Sequence, residues 1–297
     1  MSFLNPTTDI VFKRLFGNAQ HTNIVISFLN SILMREEGRK IVSVVINNPY
    51  NHQRHRDDKL SIVDVTCTDQ SGAQYIVEMQ SSYQEDFGER AQYYSAVALS
   101  HQLKKGDEYE RVHPVIFIGV LKFKLFENPD YVSHHLILDQ KTQKHILRHL
   151  EFHFIELPKF TKEIDQLLGD VDAWIYFLKN ASDFRTVPVE LQHTESMKDA
   201  FQIVTETNWT SEELYDYERR LDQERQDRSR LNSAKKEGRE EGRQEGRQEG
   251  RQEGRQEGIY EALCMIACNL LTADVLSIEK IAQLTGLSIE EIEKLKK

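Results

Sequence analysis

Residues 60–80, LSIVDVTCTDQSGAQYIVEMQ, read as two strands around a tight turn. Leu60 to Thr68 and Gln74 to Gln80 are rich in β-branched and aromatic residues, and Asp69-Gln70-Ser71-Gly72-Ala73 between them carries turn chemistry. A three-residue loop, Gln70-Ser71-Gly72, places glycine where a hairpin needs positive φ. Asp69 then faces Ala73, and the same register sets Asp64 opposite Glu78 with Cβ atoms ~5 Å apart. Gln80 follows on that face, because side chains along a strand alternate with period two. Opposed like charges destabilise a sheet unless a cation lies between them. A divalent ion meets that need, and hard oxygen ligands suit Mg²⁺ or Mn²⁺. A slipped register would instead turn one carboxylate to solvent and leave an ordinary surface hairpin.

The chain of 297 residues is long enough for one large or two smaller domains. Its formal charge of -10 argues mildly against generic nucleic-acid binding. The charge is unevenly spread. Residues 1–160 carry 18 Lys and Arg against 19 Asp and Glu, so the acidic excess lies in the C-terminal half. The near-neutral half has basic clusters at Arg54-His55-Arg56, Lys104-Lys105 and Lys141 to His149, which suit phosphates or a solvated mixed-charge surface equally well. Apolar runs such as Val115 to Leu121 are too short to span a bilayer, and no basic-then-apolar signal segment opens the chain. Cys67, Cys264 and Cys268 provide neither a disulfide framework nor zinc-ligand spacing. The expected setting is therefore cytoplasmic and reducing, without membrane insertion, and the Cys264/Cys268 pair reads as core packing.

Pro6-Thr7-Thr8-Asp9 signals a helix start, with the helix running to Phe16 and Gly17 at its C-cap. A second helix covers about 23–33, a strand about 41–46, and a polar loop 47–59 leads into the hairpin. A helix over about 88–105 ends at Gly106. Strands follow at 115–122, near 131–138 and near 150–157. Helix, three strands, helix and further strands make an α/β fold, a mixed sheet with helices packed on it. From Thr161 the pattern is almost all helix, with packed segments over 161–180 and 188–207 and an exposed charged helix over 211–235.

Gly238, Gly242, Gly246, Gly250, Gly254 and Gly258 recur every four residues, with Arg-Gln-Glu between most of them. Helix is the natural geometry, yet each glycine costs ~1 kcal/mol relative to alanine, and the i,i+4 columns place Arg over Arg and Glu over Glu. A partner helix would explain the pattern. In a parallel two-fold pair the Arg flank of one chain meets the Glu flank of the other, so the repeat reads either as a homo-oligomerising helix or as a flexible linker. Beyond it, a helix over 259–271 precedes a helical pair, 277–284 and 288–296, turning at Thr285-Gly286. Ser288 and Glu291 form a capping box. Glu290, Glu291 and Glu293 suit phosphates badly, so this pair reads as a packing or protein-contact module rather than a DNA reader.

The hairpin belongs to a larger pattern. Pro6-Thr7-Thr8-Asp9 to Phe12-Lys13-Arg14-Leu15-Phe16-Gly17, then Val63-Asp64, Ile76-Val77-Glu78-Met79-Gln80 and Arg90-Ala91-Gln92-Tyr93-Tyr94, resembles the Rpn family. These are recombination-promoting nucleases, also described as transposases, of the PD-(D/E)XK superfamily. The resemblance covers residues 1 to about 160, and the glycine repeat with its helical tail is similar to that family's C-terminal region. It implies a restriction-endonuclease-like core followed by an all-helical region. The expected division is 1–160 nuclease-like, 161–235 helical extension, 236–258 repeat and 259–297 small helical tail.

The implied activity is Mg²⁺-dependent (or Mn²⁺-dependent) endonucleolytic cleavage of DNA phosphodiester bonds, in recombination, mobile-element or defence processes. Asp64, Glu78 and the Met79 carbonyl would bind the metal. Asp9 matches an accessory acidic residue that orients water at the metal, while its plainer role is helix N-terminal stabilisation. Arg90 and Tyr94, one turn apart, would support the site or touch the DNA backbone. Gln80 stands where the general motif has lysine; it can hydrogen-bond an attacking water but supplies no positive charge. The alternative is a catalytically weak or inactive nuclease-fold protein that binds DNA or protein and serves in assembly.

Overall fold

The computed structural model describes residues 2–35, 37–47 and 63–296. The N-terminal end of the predicted hairpin, 60–62, most of the polar loop and the Arg54-His55-Arg56 cluster lie outside the described residues. The chain forms two compact units, Met1–Gln226 and Asp227–Lys297.

The first unit is built on β1 (Val44–Asn47), β2 (Val65–Asp69), β3 (Gln74–Gln80), β4 (Val115–Leu121), β5 (Val132–Leu136) and β6 (Leu150–Glu156), joined in the order β1-β2-β3-β4-β6-β5. The sheet is mixed: β3, β4 and β6 run parallel, and the other neighbours are antiparallel. Central β4 is buried along its whole length, as a strand covered on both faces must be. The hairpin has the expected register, with Val65 opposite Val77 and Cys67 opposite Tyr75.

Asp69 holds the turn. Its Oδ1 accepts from the Ser71 N–H at 2.8 Å, the Ser71 hydroxyl at 2.6 Å and the Ala73 N–H at 3.1 Å, and its Oδ2 accepts from the Tyr75 hydroxyl at 2.8 Å. Gly72 takes the positive φ of 88° that the loop requires.

Alternation along the strands gives the sheet two apolar faces. One carries Val65, Cys67, Tyr75, Val77, Ile116, Ile118 and Val120, and packs against α1 (Asp9–Phe16), α2 (Thr22–Ile32), α4 (Gly169–Asn180) and α5 (Glu195–Val204). The other carries Ile76, Val115, Phe117, Leu121 and Phe154 under α3 (Phe87–Ser100). Phe12, Phe16, Phe28 and Trp174 tie three helices to the first face, with ring centroids 4.7–6.0 Å apart. Full burial of each such side chain stabilises by ~1.5–3 kcal/mol. Helices beyond residue 160 thus share the core of the sheet.

Several boundaries differ from the sequence reading. α3 stops at Ser100 because Gln102 turns aside to exchange two hydrogen bonds with the His113 backbone, at 2.7 and 3.0 Å. Residues 161–168 are not one helical run. Buried Asp172 accepts from Lys162 at 2.6 Å and from the Leu168 N–H at 2.8 Å, and α4 begins only at Gly169, at φ 72°. The charged segment beginning at 211 is not wholly exposed, since Leu214 and Tyr217 pack on the first core.

This last segment opens α6 (Ser211–Ala273), a 63-residue helix that includes the whole glycine repeat. In the second unit Ala267 packs with Ile281, Leu287 and Ile292 of α7 (Ile278–Thr285), its C-terminal turn and α8 (Ile289–Leu295). Cys264 is half-buried against this cluster. Gly286 caps α7 at φ 75°, and the Ser288/Glu291 capping box is formed. Among the described residues no helix is long and apolar enough to cross a membrane.

Gly119 pairs across the sheet with Glu78, and a Cβ there would lie 2.9 Å from the Phe154 ring. Gly119→Val is expected to destabilise the fold by ~1–3 kcal/mol through overpacking. Denaturant unfolding checks this; an unchanged midpoint would show that Phe154 yields freely.

Candidate metal and catalytic site

The antiparallel ladder of β2 and β3 ends at Val65 and Val77. Asp64 is the next residue outward, just before β2, and its charge acts on Glu78. Its Oδ2 accepts from the Met79 N–H at 2.8 Å, replacing the backbone rung that would have followed. In an extended strand a residue's N–H and C=O leave by the same edge, so the Met79 carbonyl is directed to Asp64's side of β3 as well. Two carboxylates and one main-chain carbonyl thus converge beyond the end of the ladder.

Glu78 is the more constrained acid. It is 4 % exposed, on the sheet face covered by α3. The guanidinium of Arg90 reaches its Oε1 at 3.1 Å, while its buried Oε2 has no hydrogen-bond partner. Burial, and next the Asp64 charge, push the Glu78 carboxyl up to about 7 against the pull of Arg90 and Lys13. Asp64 is also raised, first by burial, with the Met79 N–H and Lys13 opposing. An orphaned acceptor beside a second carboxylate fits a small hard cation: bare oxygen ligands are present, and soft sulfur or imidazole ligands are not needed. Among the described residues there is no cluster of three or more His, Cys, Asp or Glu side chains able to hold a metal. The fit therefore relies on Asp64, Glu78 and the Met79 carbonyl, with water completing the shell.

The helices supply the surrounding charge. α1 buries Val11, Phe12, Leu15 and Phe16, a stripe that leaves Asp9 and Lys13 stacked one turn apart on its flank. Lys13 Nζ lies 2.5 Å from Asp9 Oδ1 and 3.3 Å from Asp64 Oδ1. Burial opposes the Lys13 charge, but the two carboxylates outweigh it and the ammonium is held above its ordinary range. Asp9 is therefore joined to Asp64 through Lys13, and its other oxygen meets Arg220 of α6 at 3.4 Å.

Gln80 donates to the Ser82 carbonyl at 3.2 Å, and its own carbonyl receives the Lys122 N–H at 3.0 Å. The Lys122 ammonium pairs with Glu224 of α6 at 3.4 Å. Arg90 also contacts Gln84 and the Tyr94 hydroxyl, which fixes its fork toward Glu78.

The sequence reading missed Lys13, Lys122 and the α6 residues Arg220 and Glu224. Asp9 and Lys13 at i and i+4 was a usable signal for the first. Nothing local marks the others, since only folding brings them to the strand ends.

A family model described as PD-(D/E)XK nuclease family transposase matches residues 6–234. No curated protein and no solved structure matches the chain.

The raised Glu78 carboxyl has a definite pH signature. Between about 4.5 and about 7 the Glu78 carboxyl is more protonated in the folded chain than in the unfolded chain. Stability from protonated Glu78 is thus complete below the unfolded pKa and lost as pH rises through the folded one. Without metal, the melting temperature of Glu78→Gln minus that of the wild type should grow from pH 5 to pH 8, and Mn²⁺ affinity of the wild type should strengthen over the same range. Thermal melts in chelator and calorimetric titrations test this; a pH-independent difference would mean that Glu78 ionises normally.

Proposed function

The chain belongs to the PD-(D/E)XK nuclease family transposases, and on that premise we propose that it is a metal-dependent endonuclease hydrolysing DNA phosphodiester bonds in recombination, mobile-element or defence processes. The observation that carries this reading is the unpartnered, buried Glu78 Oε2 within the field of Asp64, at the end of a ladder whose next rung is taken by Asp64 itself.

A divalent cation bound by Asp64, Glu78 and the Met79 carbonyl would acidify water and neutralise charge on the scissile phosphate. The remaining work falls to the chain. Arg90 holds one Glu78 oxygen and leaves the other without a hydrogen-bond partner. The Met79 N–H fixes the Asp64 carboxylate. Gln80, whose amide nitrogen donates to the Ser82 carbonyl, would offer its amide oxygen to the attacking water without taking its proton.

Lys13 supplies the positive charge that Gln80 lacks. It reaches Asp64 from α1 instead of from β3, and an ammonium there opposes the charge that develops on phosphate oxygens in the transition state. Asp9 positions Lys13, and the water-orienting role implied for it would require its Arg220 pair to open.

The DNA would meet the face where α1, α3 and the strand ends converge. The repeat fits association of two chains. Its six glycines have no heavy atom near the positions of their missing Cβ atoms, and its surface is exposed throughout. A glycine-rich helix without contacts is costly alone, so a parallel second copy is the stabilising partner we assign to it.

Purified full-length protein with Mg²⁺ or Mn²⁺ should nick supercoiled plasmid, and Asp64→Ala and Glu78→Ala should each abolish nicking while remaining folded. Lys13→Met should slow nicking ~10²-fold with Mn²⁺ affinity changed less than ~3-fold, as expected for a transition-state charge. Equal loss of metal binding in Lys13→Met would reassign Lys13 to holding the carboxylates. No wild-type cleavage, with metal binding also absent, would favour a binding or assembly protein on the same fold. Deleting 236–258 should convert a dimer to a monomer by light scattering; an unchanged mass would remove the pairing role.

A further inference from the structure

A second polar concavity lies at the opposite end of the sheet, around the β2–β3 turn. Asp69 is five residues from Asp64, which at ~3.3 Å per residue places the turn ~17 Å along the strand from the carboxylate site. The cavity has a volume of about 580 Å³, within the ~300–1,000 Å³ usual for small-molecule sites. We propose that it binds a phosphorylated small molecule of nucleotide size.

The wall is dominated by arginine. Arg35 and Arg39 lie in the connection after α2 and Arg148 precedes β6, so two segments bring arginines to one space. Lys40 also lines it but is paired with Glu37 at 2.9 Å. Asp69 spends its oxygens on the turn and the Tyr75 hydroxyl. Glu151 lies 3.5 Å from His153, and against burial the more distant Arg35 and His145 charges help to hold its carboxyl below the ordinary range. Among the described residues none of the three arginines has a carboxylate within ion-pair distance. Planar guanidinium forks match phosphate oxygens two at a time, which a single ammonium cannot do.

His145 lines the same wall. Ile116 and Tyr75 beneath it are each 1 % exposed and stay with the core, so the accessible wall is chiefly polar. Arginine and imidazole around a polar concavity suit an anionic phosphate group. The concavity favours a small ligand over a duplex, whose phosphates are spread along a rod. The site is independent of the nuclease reading, because it shares no residue with the carboxylates.

The test is calorimetric titration of the full chain with adenosine and guanosine triphosphates in chelator, where the carboxylate site holds no metal. At least one should bind. The double variant Arg35→Ala/Arg39→Ala and the single variant Arg148→Ala should each weaken it at least ~10-fold, as expected for losing charge-assisted bonds. His145→Ala should weaken it less, and Glu78→Ala should leave it unchanged. Circular dichroism confirms that each variant is folded; these arginines are at least partly exposed, so their loss does not open the core. No binding at millimolar nucleotide overturns the proposal. So does binding that survives the arginine substitutions or is lost with Glu78→Ala. A 5′-phosphorylated decanucleotide that binds through the same arginines while both triphosphates fail would overturn the small-ligand assignment and make the cavity a nucleic-acid contact.

Discussion

The pairing register of β2 and β3 is the constraint on which the site depends. Asp69 accepts four hydrogen bonds from its own turn and from Tyr75, and Gly72 supplies the positive φ that closes the loop. A slip of one residue would reverse the faces of β2, sending Val65 and Cys67 out of the core and turning the Asp64 row the other way. The core opposes that slip, since Val65 and Cys67 are buried against α1 and α2. Turn chemistry and apolar packing therefore enforce one alignment, and that alignment is what sets two acids side by side.

Once there, the acids are a source of instability that the rest of the fold counters. Each is raised by burial, Glu78 further by its neighbour, and cations arrive from separate elements to compensate. Lys13 comes from α1, Arg90 from α3, and Arg220 from α6 holds Asp9. None of these pairs satisfies Glu78 Oε2. A site left one ligand short in this way costs stability in the isolated chain and is suited to cation binding, a trade common where function resides. The aromatic packing of Phe12, Phe16, Phe28 and Trp174 contributes indirectly, by fixing α1 so that the Asp9–Lys13 flank meets the end of β2.

Local chemistry was legible where neighbours in sequence are also neighbours in space. The hairpin turn, Gly17 after α1, the positive φ of Gly286 and the Ser288/Glu291 capping box all follow from residues within a few positions of one another. Boundaries failed where a distant partner intervened. Gln102 left α3 to hold His113, Asp172 kept 161–168 from becoming helix, and Leu214 and Tyr217 were drawn onto the core from a segment whose composition reads as solvated.

The amino-acid sequence by itself determined the hairpin and its register, because turn type and period-two alternation are local properties. It also determined family membership through the order of its motifs. Only the tertiary structure decided which charges answer the Asp64 and Glu78 carboxylates, that Lys13 reaches Asp64 from α1, and that Arg35, Arg39 and Arg148 line one cavity. The physical reason is that electrostatic partners are chosen by distance through space. Distance is set by how helices pack on the sheet, and helix packing is recorded in the sequence only as apolar stripes that do not name their partners.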